Sequence, residues 1–205
     1  MKTRKTVLLA FLVLLTSCAH LRPEGELLSA EEHLRLGAIY ESKGEHDLAL
    51  RQYERAALQD GGMAEAHFAM GNLFLKDGRL KEAQSSYLKA IELDPDEALF
   101  HNNVGWVYME TERYEEAEQA VKRALEMDPG RSYIYLDTLG VLYTRTGRYE
   151  EAEKNLLTAE GLVPGEQIQG LREVYGHLLE LYSKTGEEEK AAAVEEKIKG
   201  LDGSL

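Results

Sequence analysis

Few residues of this 205-residue chain have the types and spacing that chemistry at a site would need. Cys18 is the one cysteine, which excludes a disulfide framework and a cysteine-based zinc or iron–sulfur site. His33, His67 and His101 recur at intervals of 34 residues, like a ladder of metal ligands. The sequence has no glycine-rich phosphate loop, no His-Glu-x-x-His motif and no Gly-x-Ser-x-Gly motif. We therefore predict that the protein is not an enzyme and binds no metal or other non-covalent cofactor.

The overall charge is strongly acidic. The chain has 37 Asp and Glu residues against 24 Lys and Arg residues, a formal net charge of −13. Binding to a phosphate backbone needs a basic face, so the charge argues against nucleic acid as a partner. The hydrophobic content of 43% is ordinary for a folded globular protein.

Residues 1–17 have the pattern of a secretory signal peptide. Three basic side chains precede an unbroken apolar run at residues 7–15, which is too short to span a bilayer as a helix. The run ends in Leu-Thr-Ser-Cys at residues 15–18, which resembles the lipobox of bacterial lipoproteins. The resemblance implies cleavage before Cys18 and covalent attachment of acyl chains such as palmitate to that residue. The alternatives are an ordinary signal peptide that is cut elsewhere, or a short membrane anchor with a chance cysteine.

Acylation of Cys18 would determine where the protein resides. One acyl chain binds a membrane only marginally, whereas two or three chains hold a protein there essentially permanently. Residue 19 is Ala rather than Asp, which by resemblance to enterobacterial sorting favours the outer membrane. We expect a lipid-anchored protein that faces the periplasm, with residues 18–28 as the lipidated cysteine and its tether.

The rest of the chain repeats with a period of about 34 residues. In each unit an aliphatic residue and a glycine are followed three residues later by an aromatic residue. The glycines are Gly37, Gly71, Gly105 and Gly140, and the alanines twelve residues after them are Ala49, Ala83, Ala117 and Ala152. Pro95, Pro129 and Pro164 close three of the units, since proline disfavours helix at the preceding residue. Such periodicity is typical of a solenoid.

This pattern resembles the tetratricopeptide repeat, whose motif is W-x2-L-G-x2-Y, A-x3-F, A and P. The resemblance implies an all-α solenoid of antiparallel helix pairs over residues 29–200, followed by a tail at 201–205. The expected repeats are 30–63, 64–97, 98–132, 133–166 and 172–200. The fifth unit lacks the packing glycine, and extra residues before it predict an elongated first helix from about 166 to 184. Glycines in the turns are expected to be left-handed, and repeat three departs from this with Thr111-Glu112-Arg113.

In this family the first helix of each pair, the A helix, lines a concave groove. The resemblance implies a groove formed by Phe68, Asn72, Leu75, Leu99, Asn102, Asn103, Trp106, Met109, Ile134, Asp137 and Val141. These positions are more apolar than helix packing alone demands, which predicts a groove for an extended peptide or helix. Trp106 and Phe68 would be the anchors, and the asparagines would bond the partner's backbone. The alternative is that neighbouring A helices, or the long fifth helix folding back, already cover this surface.

The family's best-known ligand mode, a clamp on a C-terminal carboxylate, is not expected. Asn72 and Asn103 match the clamp's asparagines, but Phe68, Ile134 and Thr138 occupy positions where cations would be needed. The three regularly spaced histidines are also not expected to form a site. Equivalent residues of stacked helices lie on the order of 10 Å apart, too far to share one metal.

Together these features predict a membrane-anchored protein-interaction scaffold or assembly factor of the bacterial envelope. Its architecture is similar to pilotin-type lipoproteins that assist type IV pilus secretins, and to lipoproteins that scaffold peptidoglycan hydrolases. The alternatives are a binding module for exported polysaccharide or another non-protein ligand, and a plain structural spacer. No residue selects one of these partners or an oligomeric state.

Overall fold

The structure, a computed structural model, describes residues 28–202. The predicted signal peptide, the lipidated Cys18, the tether up to residue 27 and residues 203–205 lie outside the described residues. Within the described part of the chain the secondary structure is helical, with no strand. No helix there is both long enough and apolar enough to cross a bilayer.

Ten α-helices form five consecutive pairs in residues 28–202. Their bounds are α1 Ala30–Ser42, α2 His46–Gln59, α3 Ala64–Lys76, α4 Leu80–Leu93, α5 Ala98–Glu110, α6 Tyr114–Met127, α7 Ser132–Arg145, α8 Tyr149–Leu162, α9 Ile168–Thr185 and α10 Glu188–Asp202. A short 3₁₀ turn at Pro129–Arg131 precedes α7. Each helix packs on its partner and on the next helix in the chain, and from α3 onward successive A helices also contact one another. The predicted all-α solenoid is therefore confirmed.

The close approach of the two helices in a pair depends on the glycine of the A helix. A Cβ atom at Gly71 would lie 2.6 Å from two ring carbons of Tyr87, which is fully buried on α4. The alanine twelve residues after each glycine is also fully buried. The residue that fills the space above the glycine, however, comes sixteen positions after it. These residues are Tyr53, Tyr87, Val121 and Leu156.

The turns inside the pairs use left-handed residues. Gly44, Gly78, Gly147 and Gly186 have φ between 71° and 75°. In repeat three the same turn places Glu112 at a φ of 59°, a region that L-residues with a Cβ adopt at a cost. The departure of this turn from the glycine pattern is therefore accommodated by backbone strain at one residue.

The hydrophobic core is largest at the C-terminal half. One cluster of buried side chains runs continuously from α5 to α10, whereas smaller clusters join α1 to α5. Helix α9, 18 residues long, packs against α7, α8 and α10 in the place of the next A helix. It extends the stack and does not lie across the A helices of repeats one and two.

Ion pairs on the outer helices join neighbouring repeats. Glu118 on α6 pairs with Lys122 at 2.6 Å, as the sequence spacing predicts, and also with Arg148 of the next repeat at 2.7 Å. Tyr143 donates its hydroxyl to the same carboxylate at 2.8 Å. Partial burial opposes ionisation of Glu118, but these donors outweigh burial and lower its pKa to about 2.

The three periodic histidines do not converge. His33 is 2% exposed, and its Nδ1 lies 2.7 Å from Oε1 of Gln52. His101 contacts the carbonyl oxygen of Pro95 at 3.0 Å through Nε2. Burial lowers the pKa of His67, which favours its neutral form. No group of three His, Cys, Asp or Glu side chains in residues 28–202 is arranged to hold a metal ion.

Candidate partner-binding cavity

Three A helices, α5, α7 and α9, enclose a cavity of about 320 Å³ on one face of the solenoid. Its lining consists of Asn102 and Trp106 from α5, Tyr133, Ile134, Asp137 and Thr138 from α7, and Gly170, Glu173, Val174 and His177 from α9. We refer to this space as the A-helix cavity. It is an open concave space rather than a sealed void, so a segment of another chain could enter it.

The A-helix cavity brings together four of the predicted groove residues: Asn102, Trp106, Ile134 and Asp137. Trp106 is half-buried, with the edge of the α5 to α10 core beneath it. The long fifth A helix, which the sequence suggested as a possible cover for this surface, instead supplies one wall of the cavity. This surface is therefore bounded by α9 and not filled by it.

Sequence reasoning missed the residues that α9 contributes. Glu173, Val174 and His177 lie at equivalent positions of an A helix, but the fifth unit has no packing glycine to fix its register. The amphipathic pattern of the elongated helix α9 is the signal that could have found them, because it separates the polar face of the helix from the buried one.

Asp137 and His177 form a hydrogen-bonded pair across α7 and α9. Nδ1 of His177 lies 2.8 Å from Oδ1 of Asp137, and the side chains are 29% and 13% exposed. Burial of the imidazole opposes its protonation, but the hydrogen bond and the negative charge of Asp137 outweigh burial. The pKa of His177 is therefore raised above the ordinary value of 6.5. Asp137 therefore favours the protonated form of His177 relative to an isolated histidine.

A chain of amides connects the cavity to the core of repeat two. Nδ2 of Asn102 donates to Oδ1 of Asn103 at 3.2 Å, and Nδ2 of Asn103 donates to Oδ1 of Asn72 at 2.9 Å. The hydroxyl of Tyr87 donates to the same Asn72 oxygen at 2.7 Å. At the other end, Oδ1 of Asn102 is buried and has no hydrogen-bond donor among the described residues. Both ends of Asn103 thus already have a partner inside the protein, and each keeps one further donor or acceptor site.

Other predicted groove residues are part of the packing. Met109 and Val141 are 1% and 5% exposed, so a partner does not reach their side chains, and their assignment to the groove was wrong. The ring of Phe68 lies 4.8 Å from that of Phe100 and 5.8 Å from that of Tyr87, centroid to centroid. Phe68 is therefore engaged between repeats two and three rather than free as an anchor.

Leu75 and Leu99 are half-buried at the edges of two core clusters. Leu75 packs beside Tyr87 and Val104, and Leu99 packs against the α5 to α10 core. Neither lines the A-helix cavity. Of the predicted groove, the part that forms one concave site is therefore the part on α5 and α7.

The electrostatic character of the A-helix cavity is acidic. Its lining includes the carboxylates of Asp137 and Glu173 and the imidazole of His177, but no Lys or Arg. Arg145 lies outside the lining, with its guanidinium carbon 5.9 Å from the centroid of the Trp106 ring, and it pairs with Glu110 at 2.8 Å. The cavity thus combines an apolar wall with hydrogen-bond acceptors and negative charge, a combination that suits ligand binding.

Comparisons with known proteins agree with this architecture. Two family models, both described as tetratricopeptide repeat, match residues 68–132 and 108–174, which together make up more than half of the chain. No curated protein sequence gives a significant match.

Several solved structures are similar to the described fold. One is PilW, described as a widely conserved type IV pilus biogenesis factor, with a TM-score of 0.75 and 21% identity over 86% of this chain and 79% of that one. Another is pilF of Pseudomonas aeruginosa, with a TM-score of 0.62 and 22% identity over 84% and 91%. A third is YrrB, described as a TPR protein with an unusual peptide-binding site, with a TM-score of 0.56 and 20% identity over 84% and 86%. At this identity the likeness shows the fold.

Proposed function

Because the chain belongs to the tetratricopeptide-repeat family, we propose that it holds a segment of a partner protein in the A-helix cavity. This fold is typically a non-enzymatic protein-binding scaffold, and the role proposed here is that of a scaffold or assembly factor. The observation that carries the proposal is the cavity itself, which three A helices enclose and which no segment in residues 28–202 fills. The YrrB structure shows that a similar fold can have a peptide-binding site.

The second part of the proposal is a membrane anchor at Cys18. The signal-peptide pattern and the lipobox-like residues 15–18 support acylation, and Ala19 supports an outer-membrane position facing the periplasm. Anchoring would confine the scaffold and a membrane-associated partner to one surface, which raises their effective concentration without any new contact. The anchor and the cavity are independent parts of the proposal and are tested separately.

Pilus biogenesis is the first pathway in which we propose to look for the partner. PilW is described as a type IV pilus biogenesis factor, and the chain is similar to it over 86% of its length. No residue of the cavity specifies that pathway, so the fold likeness supports the choice of experiment and not a partner.

Site-specific photocrosslinking in cells tests the scaffold proposal. A photoreactive phenylalanine analogue replaces Ile134, which lines the cavity, or Leu58, which is 84% exposed on α2 as the matched control position. We expect a discrete crosslinked protein from position 134 and none from position 58. Adding Trp106→Ala should remove the crosslink, because it deletes the aromatic wall of the cavity.

The same experiment can refute the proposal. Equal crosslinking of the same proteins from positions 134 and 58 would indicate non-specific contact. A crosslink at position 134 that survives Trp106→Ala would show that the partner does not depend on the aromatic wall of the cavity, against the proposal. Circular dichroism of each variant checks whether it folds, so that loss of the crosslink can be distinguished from loss of the fold.

A further inference from the structure

We propose that the A-helix cavity is a subsite for one Lys or Arg side chain of the partner segment. The inference rests on the proposed scaffold function and names the chemistry that the scaffold recognises. Three features of the described residues carry it: negative charge that is only partly compensated, a buried acceptor without a hydrogen-bond donor, and apolar walls that fit a long aliphatic stem.

The negative charge of the A-helix cavity is only partly compensated. Asp137 has His177 as its partner at 2.8 Å, and a protonated imidazole neutralises that one carboxylate. Glu173 accepts from Nε2 of Gln169 at 3.1 Å, a neutral donor, and forms no ion pair with another described residue. Lys184, in the last turn of α9, is paired with Glu180 at 2.9 Å. A carboxylate in a lining that has no Lys or Arg favours a cationic ligand over a neutral or anionic one.

The buried acceptor gives the ligand a second requirement. Asn102 is 3% exposed, and its Nδ2 group is committed to Oδ1 of Asn103. Reversing the Asn102 amide would bring two amide oxygens together, because Nδ2 of Asn103 is committed to Asn72. With the three amides in this orientation, Oδ1 of Asn102 is an acceptor at the cavity lining, and it has no donor in residues 28–202. A buried acceptor without a donor costs about 1–3 kcal/mol, so a ligand that supplies an N–H group gains on binding.

The apolar lining decides which cation fits. Trp106, Ile134 and Val174 line the cavity from three different helices. Lys and Arg bury their methylene stems along apolar surface while the charged head reaches polar groups. Tryptophan is also the aromatic residue that attracts a cation most strongly. A metal ion would leave these walls unused, whereas a Lys or Arg side chain uses the walls, the carboxylates and the acceptor together.

Peptide selection tests the subsite and does not require that the natural partner be identified. A phage-displayed library of random twelve-residue peptides is panned on the full chain and, in parallel, on the Asp137→Asn, Glu173→Gln double variant. A control double variant, Glu115→Gln with Glu150→Gln, removes two exposed carboxylates from the first turns of α6 and α8. We expect the wild type and the control to enrich peptides with one Lys or Arg beside an apolar residue. The cavity variant should lose that enrichment.

A binding cycle then measures the interaction directly. The most enriched peptide is compared with its Lys→norleucine or Arg→norleucine version by fluorescence anisotropy. We expect at least about tenfold weaker binding of the neutral peptide to the wild type, and a change of less than about twofold with the cavity variant. The comparison of the two peptides on the wild type remains valid even if the double variant folds poorly, because the change is made in the peptide.

The outcomes separate the subsite from the scaffold. Peptides that need Trp106 but contain no basic residue would overturn the cation subsite and leave the scaffold in place. Peptides with a basic residue that bind the cavity variant as well as the wild type would overturn the subsite too. If no peptide is enriched on the wild type, both proposals fail.

Discussion

A single methyl group added at Gly71 should destabilise the solenoid. The new Cβ of Gly71→Ala would lie 2.6 Å from two carbons of the Tyr87 ring. That ring is fully buried, and its hydroxyl is held by Oδ1 of Asn72 at 2.7 Å, so it cannot turn away without losing the hydrogen bond. Overpacking of this kind costs about 1–3 kcal/mol. Alanine recovers about 1 kcal/mol of helix propensity over glycine, and since the ring is rigid we expect a net loss of about 1–2 kcal/mol.

Glycine-to-alanine substitution on α9 should instead raise the free energy of unfolding. Gly176 lies within α9, is exposed, and has no neighbouring atom within 4 Å of its ideal Cβ position. Gly176→Ala should therefore add about 0.5–1 kcal/mol to the free energy of unfolding. The effect of Gly105→Ala on stability should fall between these two, because its Cβ would come too close to one atom only, a methyl carbon of Val121 at 2.7 Å, and not to an aromatic ring.

Urea and thermal unfolding followed by circular dichroism compare the three variants with the wild type. For a chain of this size, 1 kcal/mol corresponds to a shift in Tm of about 2–4 °C. We expect Tm to fall for Gly71→Ala and to rise for Gly176→Ala. If both substitutions raised Tm by the same amount, helix propensity alone would explain them. The idea that this glycine sets the spacing of the helix pair, and with it the position of the A helices, would then be refuted.

Four further predictions concern single residues. Glu112→Gly should stabilise the fold by up to about 1 kcal/mol, since glycine adopts positive φ without strain; a lower urea midpoint would contradict this. The raised pKa of His177 means that its pair with Asp137 contributes stability below pH 6.5 and loses it as pH rises through the folded value. In Asp137→Asn, NMR titration should therefore show a lower imidazole pKa and unfolding should lose this pH dependence; an unchanged imidazole pKa would contradict the assignment. For Glu118 the pKa is lowered to about 2, so its contribution is present above the ordinary 4.5 and is lost as pH falls toward 2. Glu118→Gln should cost about 1 kcal/mol at pH 7 and flatten the acid limb of the stability curve. Cys18→Ser should release the protein from membranes and remove acyl mass in mass spectrometry; a variant that stays membrane-bound would refute the lipobox interpretation.

The fold was predictable from sequence because its constraints repeat. Each pair of helices needs a small residue where the backbones approach, and the four glycines satisfy this need at a spacing of 34 or 35 residues. The side chains that pack against these glycines were not predictable, because the packing requires a side chain of sufficient volume and not one residue type. Tyr87 and Val121 both meet it, one with an aromatic ring and one with a branched aliphatic group.

The candidate site was predicted only in part, for a different physical reason. Position along an A helix indicates which way a side chain points, and Trp106 and Asp137, which were predicted for the groove on that basis, both line the A-helix cavity. It does not indicate how much of that face neighbouring helices cover, so Met109 was assigned to the groove although it is 1% exposed. The contribution of His177 could not be foreseen from spacing, since it comes from the unit whose register differs from the others.

The position of the A-helix cavity within the solenoid bears on how an anchored scaffold would work. The cavity belongs to repeats three to five, where the continuous core from α5 to α10 holds its three walls. A site on such rigid elements needs little ordering when a ligand binds, so more of the contact energy appears as affinity. Stacked helices lie about 10 Å apart, which puts α7 on the order of 30 Å from α1 along the stack of A helices. If Cys18 is acylated as proposed, the membrane is attached next to α1 and the cation subsite lies at the far end. We therefore expect a partner segment that projects from a membrane-bound assembly to reach the subsite more readily than one that lies on the lipid.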